Sequence, residues 1–302
     1  MLSAYLQFRF LRRIFKPVNM ESPKHIAIVC NPLAGVGKAI MLSDRITALL
    51  KEKKIAFNFF KENWPADFSA FTDVWLVGGD GTLNYFINHY PGIELPLMIF
   101  KGGTGNDVHW LLYGKQTLEE QLQTAFTAKP VRIDAGRCND RLFLNGAGIG
   151  FEGEIVRSLS GKNKLPGKTS FMMTILKKIF SYHSKSYNII AGSIHISQKQ
   201  LMVSVTNGRR AGGGFQIAPN AEINDGLLDM IVIDPLTALE RLRYLPVIEK
   251  GKHLQLPFVH PYKIKNVVIE SDETIQSHLD GEYYAAQKME IEILPAKFLF
   301  RY

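Results

Sequence analysis

The segment with the clearest potential for chemistry is Gly78-Gly79-Asp80-Gly81-Thr82. It follows a short apolar run, Val74 to Val77, and precedes a helical pattern that begins at Leu83. A strand, a tight turn and a helix N-terminus in this order direct backbone N–H groups towards a phosphate. The glycines let an anion approach the backbone, and Asp80 has the chemistry to bind Mg²⁺ or to accept a proton. The segment indicates a phosphate-binding turn, although an ordinary β–α turn uses the same residue types as caps.

Two further glycine-rich loops strengthen this interpretation. One runs from Asn31 to Lys38 after the apolar run 24–30, and the other from Lys101 to Asp107 after the apolar run 95–100. The first is not a Walker A loop, because Ala39 follows the lysine where that motif has Ser or Thr. Three such loops after three strands are hard to explain by turn chemistry alone, so we expect them to form one nucleotide-binding edge.

The elements around these loops alternate between strand and helix. Apolar runs at 24–30, 55–60, 74–77 and 95–100 predict strands, and helical spacing predicts helices near 39–53 and 118–128. This alternation predicts a doubly wound, mostly parallel α/β domain, whose ligands bind at the carboxyl ends of the strands. From Val131 onwards strand pairs dominate: a hairpin around Asn139-Asp140 and a predicted pairing of 186–196 with 200–207. We therefore expect a second, largely antiparallel all-β domain, with a boundary near Asp134.

Two stretches of this second part have competing interpretations. Gly148 to Gly153 has the spacing of a dinucleotide fingerprint, but no acidic residue follows between Glu154 and Glu222 to bind a ribose, so we predict a plain turn. The predicted helix at 169–183 carries one apolar face that either packs on its own domain or borders a lipid pocket. That face consists of Phe171, Met172, Ile175, Leu176, Ile179 and Phe180.

Acidic residues near the end of the chain supply further candidates. Asp280-Gly281-Glu282 lies between two predicted strands and would suit a general base with a supporting acid. Asp225 in Asn224-Asp225-Gly226 either binds a cation with nearby carbonyls or belongs to an ordinary hairpin turn. The eight histidines have no metal-ligand spacing, and no Ser/His/Asp arrangement is visible.

The composition excludes several classes of protein. With 302 residues the chain is long enough for two cores. No apolar run approaches the ~18 residues of a membrane span. Its two cysteines rule out a disulfide framework or a cysteine-rich metal site, which fits a reducing cytoplasm.

The net charge of +8 is concentrated in one part of the sequence. Residues 155–221 contain ten Lys and Arg residues and no acid, and residues 1–20 add four more basic residues without an acid. Such a basic segment suits an anionic membrane surface, nucleic acid or phosphorylated ligands, or is simply a solvated face. No stacking aromatics are interleaved with the basic residues, so we do not expect nucleic-acid binding. Residues 1–23 are expected to be a basic extension, either an interfacial amphipathic helix or a disordered or untranslated stretch.

The ordered set of motifs resembles the diacylglycerol kinase catalytic superfamily, in its bacterial soluble lipid kinase branch. The set comprises the loop at 31–38, the turn at 78–82, the loop at 103–107, Asp225-Gly226 with Leu228-Asp229, and finally Asp280-Gly281-Glu282. The resemblance implies a nucleotide-binding α/β domain formed by 24–134 with about 290–302, and a lipid-binding β-sandwich domain at 135–289. One departure is Lys101, where the family usually has proline.

The resemblance also implies roles for individual residues. Glu282 would be the catalytic base, supported by Asp280, with Asp80 at the ATP phosphates with Mg²⁺ and next in line as the base. Asp225, with carbonyls near Glu222 and Leu227, would hold a structural Mg²⁺. The residues expected to bind ATP are Asn31, Gly35, Lys38, Gly78, Gly79, Asp80, Gly81, Thr82, Asn84, Gly103, Thr104, Asn106 and Asp107.

These features predict an ATP- and Mg²⁺-dependent lipid kinase that is cytoplasmic and associates reversibly with an anionic membrane. The first alternative is a soluble-metabolite kinase resembling NAD kinase, which shares the GGDGT segment. The second alternative is a non-catalytic, nucleotide-responsive membrane-binding protein. The sequence leaves the lipid open among diacylglycerol, a sphingoid base, ceramide, phosphatidylglycerol and an undecaprenol-like alcohol, and it leaves the oligomeric state open.

Overall fold

The computed structural model describes residues 24–160 and 168–302. The predictions for the N-terminal extension, and for Lys162 and Lys164 of the basic segment, lie outside the described residues. Within the described part of the chain, no helix is long and apolar enough to cross a membrane.

The first part of the chain forms the predicted parallel sheet. Its strands stand in the order β4, β3, β1, β2, and neighbouring strands run parallel. Val74 to Val77 are fully buried, which explains why this run is uniformly apolar. The elements are β1 (His25–Cys30), α1 (Lys38–Glu52), β2 (Ala56–Phe60), β3 (Asp73–Gly78), α2 (Asp80–His89), β4 (Leu97–Lys101), α3 (Asp107–Tyr113) and α4 (Leu118–Thr127).

The second part is built mainly from antiparallel strands, as predicted. Its described residues also form three helices, one of which coincides with the helix predicted at 169–183. Its elements begin with β5 (Pro130–Cys138), β6 (Arg141–Phe143), β7 (Gly146–Gly150), α5 (Phe151–Leu159), α6 (Lys168–Ser181), β8 (Lys185–Ala191) and β9 (Ile194–Gln200). They continue with β10 (Met202–Thr206), β11 (Leu228–Ile233), α7 (Ala238–Glu249), β12 (Val259–Ile264), β13 (Asn266–Leu279) and β14 (Glu282–Arg301).

Two details of this part differ from the sequence prediction. Residues 186–196 do not form one strand, because Gly192 adopts φ +57° and turns the chain into the β8–β9 hairpin. Strand β10 pairs instead with β7 and β11. The predicted turn at 148–153 was also wrong: β7 ends at Gly150, and α5 begins at the next residue and buries Phe151 and Ile155.

The longest strands join the two parts of the chain. Strands β13 and β14 form a hairpin whose turn is Asp280-Gly281. The far end of β14 returns to the parallel sheet, where Phe300 pairs with Leu97 of β4. Phe298 and Phe300 are fully buried in the core of the first part. The exact boundary near Asp134 stays a prediction, and that residue lies within β5.

Candidate active site

The three glycine-rich loops lie at the carboxyl ends of β1, β3 and β4 and pack backbone against backbone. A Cβ on Gly35, which has φ +60°, would lie 2.1 Å from the carbonyl oxygen of Gly102. A Cβ on Gly103 would lie 2.4 Å from the Cα of Gly79. Real side chains do not tolerate such distances, so the close approach of the loops requires glycine at these positions.

Polar side chains of these loops hold the loops together. Asn31 donates its Nδ2 hydrogen to Thr82 Oγ1 at 3.0 Å, which joins the first loop to the start of α2. Asn106 accepts from the N–H of Gly103 and donates to its carbonyl, so it closes the third loop on itself. Lys38 and Thr104 are exposed beside this framework. A built framework with exposed polar groups is suited to binding an anionic ligand.

Two carboxylates lie close together between these loops. The carboxylate of Asp80 accepts hydrogen bonds from the backbone N–H groups of Asp107 and Val108, at 3.0 and 3.1 Å. Asp107 accepts from Arg210 Nε at 2.7 Å and from the N–H of Gly213 at 2.8 Å. Burial raises the pKa of Asp80, and burial together with the Asp80 carboxylate raises the pKa of Asp107 to about 6.

The β13–β14 turn brings the last pair of acids to the same place. Asp280 adopts φ 50° and accepts hydrogen bonds from the N–H groups of residues 144–146 at 2.9 to 3.0 Å and from Asn84 Nδ2 at 3.1 Å. Glu282 Oε1 lies 2.8 Å from the point where Gly81 would carry a Cβ. Asp280 therefore fixes the turn, and Glu282 is exposed beside the start of α2.

A single cavity of about 640 Å³ unites these residues. One end is polar and is lined by Asp80, Thr104, Asp107 and Glu282. The remainder extends into the second part of the chain, where apolar side chains from α5, α6 and α7 line it, among them Ile155, Ile175 and Ile248. The arrangement places a carboxylate-rich end next to a long apolar chamber.

Family models match nearly the whole described chain. Residues 25–138 match the model described as the diacylglycerol kinase catalytic domain. Residues 145–299, more than half of the chain, match the model described as the YegS C-terminal NAD kinase beta sandwich-like domain. The chain belongs to the diacylglycerol kinase family. It is therefore a kinase, and its predicted fold class is confirmed.

Individual proteins show the same likeness. The chain is 27% identical to a diacylglycerol kinase of Mycobacterium tuberculosis over 289 residues, covering 90% of this chain and 93% of that one. It is 31% identical over 225 residues to a protein of Escherichia coli O9:H4 described as probable lipid kinase YegS, covering 72% and 74%.

Solved structures share the fold. A crystal structure of a diacylglycerol kinase from Bacillus anthracis has a TM-score of 0.73 and 24% identity, with 93% and 98% of the two chains covered. An NAD kinase from Archaeoglobus fulgidus in complex with ATP has a TM-score of 0.53 and 15% identity, with 92% and 93% covered.

The structure also adds residues to the candidate site that the sequence did not reveal. Glu152 and His278 line the cavity, and Arg210 binds Asp107. Glu152 lies in the stretch that was predicted to be a plain turn, so its position on the first turn of α5 was not foreseen. The sequence did offer one signal for Glu152, because this acid lies next to Phe151 and among glycines, directly after an apolar strand.

The candidate structural Mg²⁺ site lies apart from the cavity. Asp225 Oδ2 and Asp229 Oδ2 lie 2.8 and 2.9 Å from the ammonium group of Lys263, and Asp225 Oδ1 accepts from the N–H of Leu227 at 3.0 Å. Buried Asp229 Oδ2 has no hydrogen-bond partner of good geometry, although Lys263 is near. Glu222 is close enough to contribute to the raised pKa of Asp229, but Lys263 already pairs with both aspartates, and no third acidic side chain of the described residues converges with them. The Mg²⁺ site at Asp225 therefore stays a prediction.

The arrangement of the acidic side chains limits how many of them could bind one Mg²⁺ ion at the cavity. Among residues 24–160 and 168–302, no three acidic, histidine or cysteine side chains converge on one point. Mg²⁺ usually retains waters and binds through one or two carboxylates together with substrate phosphates. The neighbouring carboxylates of Asp80 and Asp107 fit that mode of binding.

Proposed function

We propose that this protein transfers the γ-phosphoryl group of ATP, in an Mg²⁺-dependent reaction, to a hydroxyl group of a lipid. The observation that carries the proposal is the single cavity with carboxylates and glycine loops at one end and an apolar chamber at the other. A soluble metabolite would not need that chamber, so the cavity favours a lipid over the acceptor of an NAD kinase-like enzyme.

The polar end has the parts that phosphoryl transfer requires. Backbone N–H groups of the glycine loops and the exposed ammonium groups of Lys38 and Lys101 can neutralise phosphate charge. Asp80 and Asp107 are the residues that would hold Mg²⁺, which would supply positive charge to offset the charge of the ATP phosphates.

Glu282 is the residue best placed to act as the base. It is exposed at the cavity, and the missing side chain at Gly81 leaves room for its carboxylate beside the start of α2. In the proposed step the lipid hydroxyl gives its proton to Glu282 as its oxygen bonds to the γ-phosphorus. The bond from that phosphorus to the bridging oxygen breaks, and ADP leaves.

Exposed apolar residues on α6 and α7 favour a membrane as the source of the lipid. Met173, Phe180 and Leu239 are 55%, 63% and 75% exposed, while the opposite faces of these helices line the cavity through Ile175 and Ile248. Lys177 and Arg243 lie exposed on the same helices and would attract an anionic surface. The apolar chamber would then receive a lipid directly from the bilayer.

The decisive experiment follows ³²P from γ-labelled ATP with Mg²⁺ into a total lipid extract, resolved by chromatography. We expect a labelled lipid with the wild-type protein and its near absence with Glu282→Gln. Glu290→Gln, an exposed acid on the same strand, is the matched control and should retain activity. Label in a water-soluble metabolite would favour the NAD kinase-like alternative, and ATP binding without any transfer would favour a non-catalytic sensor.

Membrane binding is tested separately by sedimentation with anionic liposomes. We expect binding that weakens with salt and that is reduced by the double change Phe180→Ser and Leu239→Ser. Ile190→Ser, at an exposed apolar residue on β8, is the control. Equal binding by all three proteins would contradict membrane docking through α6 and α7.

A further inference from the structure

Glu152 is a carboxyl group inside the apolar part of the cavity. It lies on the first turn of α5, is only partly exposed, and lines the cavity among Phe151, Ile155 and Phe171. Ser204 Oγ donates a hydrogen bond to Glu152 Oε2 at 2.7 Å. Burial raises the pKa of Glu152 to about 7, so an uncharged or readily neutralised carboxyl group faces the chamber.

His278 faces the same spot from strand β13. Its side chain is only 9% exposed, and its Nδ1 accepts a hydrogen bond from the N–H of Gly281 at 3.2 Å. Burial lowers the pKa of His278 to about 4, so the ring is neutral and carries its proton on Nε2. Within the described residues Nε2 makes no hydrogen bond, and it lines the cavity as an unused donor.

Gly148 allows the side chains of Glu152 and His278 to approach each other. A Cβ on Gly148 would lie 2.3 Å from Glu152 Oε2 and 2.4 Å from His278 Nε2. Both polar atoms therefore lie over the bare backbone of β7, at a point where any other residue would displace them. The cavity thus has a second polar site in addition to the carboxylate-rich end.

Glu152 Oε2 is bound by Ser204, whereas His278 Nε2 has no partner among the described residues. An unpaired donor in apolar surroundings lowers stability, so its place beside a second buried polar group calls for a functional explanation. Glu152 Oε1 can accept a hydrogen bond, and His278 Nε2 can donate one. A hydroxyl or an amide group of a ligand satisfies both at once. An ester oxygen can only accept, so it satisfies only His278 unless Glu152 is protonated.

We propose that Glu152 and His278 bind a second polar group of the acceptor lipid, a hydroxyl or an amide that lies close to the hydroxyl being phosphorylated. This inference rests on the proposed lipid kinase function and specifies its substrate. The hydrogen bond from Gly281 to His278 places the second polar group next to the turn that carries Glu282. An N-acyl amino diol has such a group, whereas a diacylglycerol offers only ester oxygens beside its reacting hydroxyl.

The test compares an N-acyl amino diol with a 1,2-diacylglycerol of matched chain length in the same mixed micelles. We expect wild-type kcat/KM to favour the amino diol at least 10-fold. Leaving one buried polar group unpaired typically costs a factor of about 5 to 150, so Glu152→Leu should lower this preference about 10-fold or more. Glu154→Gln lies on the same helix but outside the cavity, and it should keep the preference.

Two results would contradict the inference. A wild-type preference for diacylglycerol, or an unchanged preference in a folded Glu152→Leu protein, would overturn the inference. Diacylglycerol phosphorylation that survives in Glu152→Gln but not in Glu152→Leu would mean that a protonated Glu152 donates to an ester carbonyl. If no lipid is phosphorylated, the proposed function fails. Thermal shifts of wild type and Glu152→Leu with each lipid, without ATP, then still decide whether Glu152 recognises the second polar group.

Discussion

The Asp80 carboxylate accepts the backbone N–H of Asp107 at 3.0 Å, so the acid of one glycine-rich loop caps the helix that follows another. The side chain of Asp107 is in turn bound by Arg210, which also lies over the ring of Trp110 at 4.4 Å. Both acids thus begin helices that follow strands of the parallel sheet, whereas Arg210, which neutralises Asp107, comes from the second part of the chain. The carboxylate-rich end of the cavity therefore depends on both parts.

The first prediction follows from this link between Arg210 and Asp107. Removing the guanidinium in Arg210→Met should raise the pKa of Asp107 further above about 6, because burial and Asp80 then act unopposed by that charge. If ionised Asp107 is needed for Mg²⁺·ATP, activity falls as pH drops through this pKa. The acid limb of the kcat/KM profile should therefore move to higher pH.

The matched variant for this measurement is Arg210→Lys, which keeps the positive charge but loses the planar guanidinium. Its acid limb should stay closer to that of the wild-type protein. Profiles that superimpose for wild type and Arg210→Met would show that Asp107 does not control the acid limb.

A second prediction concerns Glu282. Loss of a general base typically lowers the rate ~10²- to 10⁴-fold, so Glu282→Gln should lower kcat by that amount with little change in ATP affinity. The measurement is steady-state kinetics at saturating lipid together with ATP binding by calorimetry. Unchanged turnover would reassign the base, with Asp80 as the next candidate, although both Asp80 oxygens already accept backbone N–H groups.

The sequence predicted the parts of this molecule that follow from local patterns. Uniformly apolar runs such as Val74 to Val77 mark buried parallel strands, and the glycine loops after them predict one ligand-binding edge of the sheet without any tertiary information. The placement of Asp280-Gly281-Glu282 between two strands also followed from the flanking apolar patterns, whereas the tight hairpin turn at Asp280-Gly281 was seen only in the structure. That Glu282 comes to lie beside Gly81 depends on how β14 returns to β4, which is a long-range contact.

The sequence prediction failed where local patterns were ambiguous. Residues 148–153 carry glycines that suggest a turn, but Phe151 and Ile155 are buried on one face of α5, and this burial stabilises the helix. The pairing of β8 with β9 depends on positive φ at Gly192, which periodicity does not reveal. Glu152 and His278 are 126 positions apart, so only the fold could bring them together over Gly148.

A third prediction tests the close packing of the glycine loops. Gly103→Ala would place a Cβ 2.4 Å from Gly79 Cα, so the second and third loops must separate. We expect a loss of nucleotide affinity of about 10-fold or more and a lower Tm. Gly92→Ala is the control, because a Cβ there meets nothing within 4 Å. ATP affinity is measured by titration calorimetry and Tm by scanning calorimetry. Equal ATP affinities and equal Tm values for Gly103→Ala and Gly92→Ala would contradict the prediction.

A fourth prediction separates the structural role of Asp280 from catalysis. Its carboxylate accepts three backbone N–H groups and the Asn84 amide, and its backbone is left-handed, a conformation that asparagine also tolerates. Asp280→Asn should therefore destabilise the protein by about 2 to 4 kcal/mol, because buried donors lose their acceptor. Denaturation of the unliganded protein measures this, with exposed Asp272→Asn as control. An unchanged midpoint would mean that Asp280 acts on the reaction rather than on the turn.

The last prediction uses the pH dependence of stability to test the environment of Glu152 without any ligand. Its folded-state pKa of about 7 lies above the ordinary value of 4.5, so the folded protein holds this proton more tightly than the unfolded chain does. The stability associated with that proton is fully present below pH 4.5 and is lost as pH rises through 7. Glu152→Gln has no such proton, so its Tm should exceed that of wild type at pH 8 and approach it near pH 5. At about 1.4 kcal/mol per pKa unit the gain at pH 8 is on the order of 3 kcal/mol.

Glu154 gives the contrasting control on the same helix. Burial alone would raise the pKa of Glu154, but Lys178 and Arg157 lower it below its ordinary value. Its charged form therefore stabilises the folded state above the unfolded-state pKa, and Glu154→Gln should lower Tm at pH 8. Opposite signs for the two variants would establish that Glu152 faces an apolar chamber, whereas Glu154 is paired. Equal signs would mean that Glu152 is solvated, and the second polar site would then lose the desolvation on which its selectivity depends.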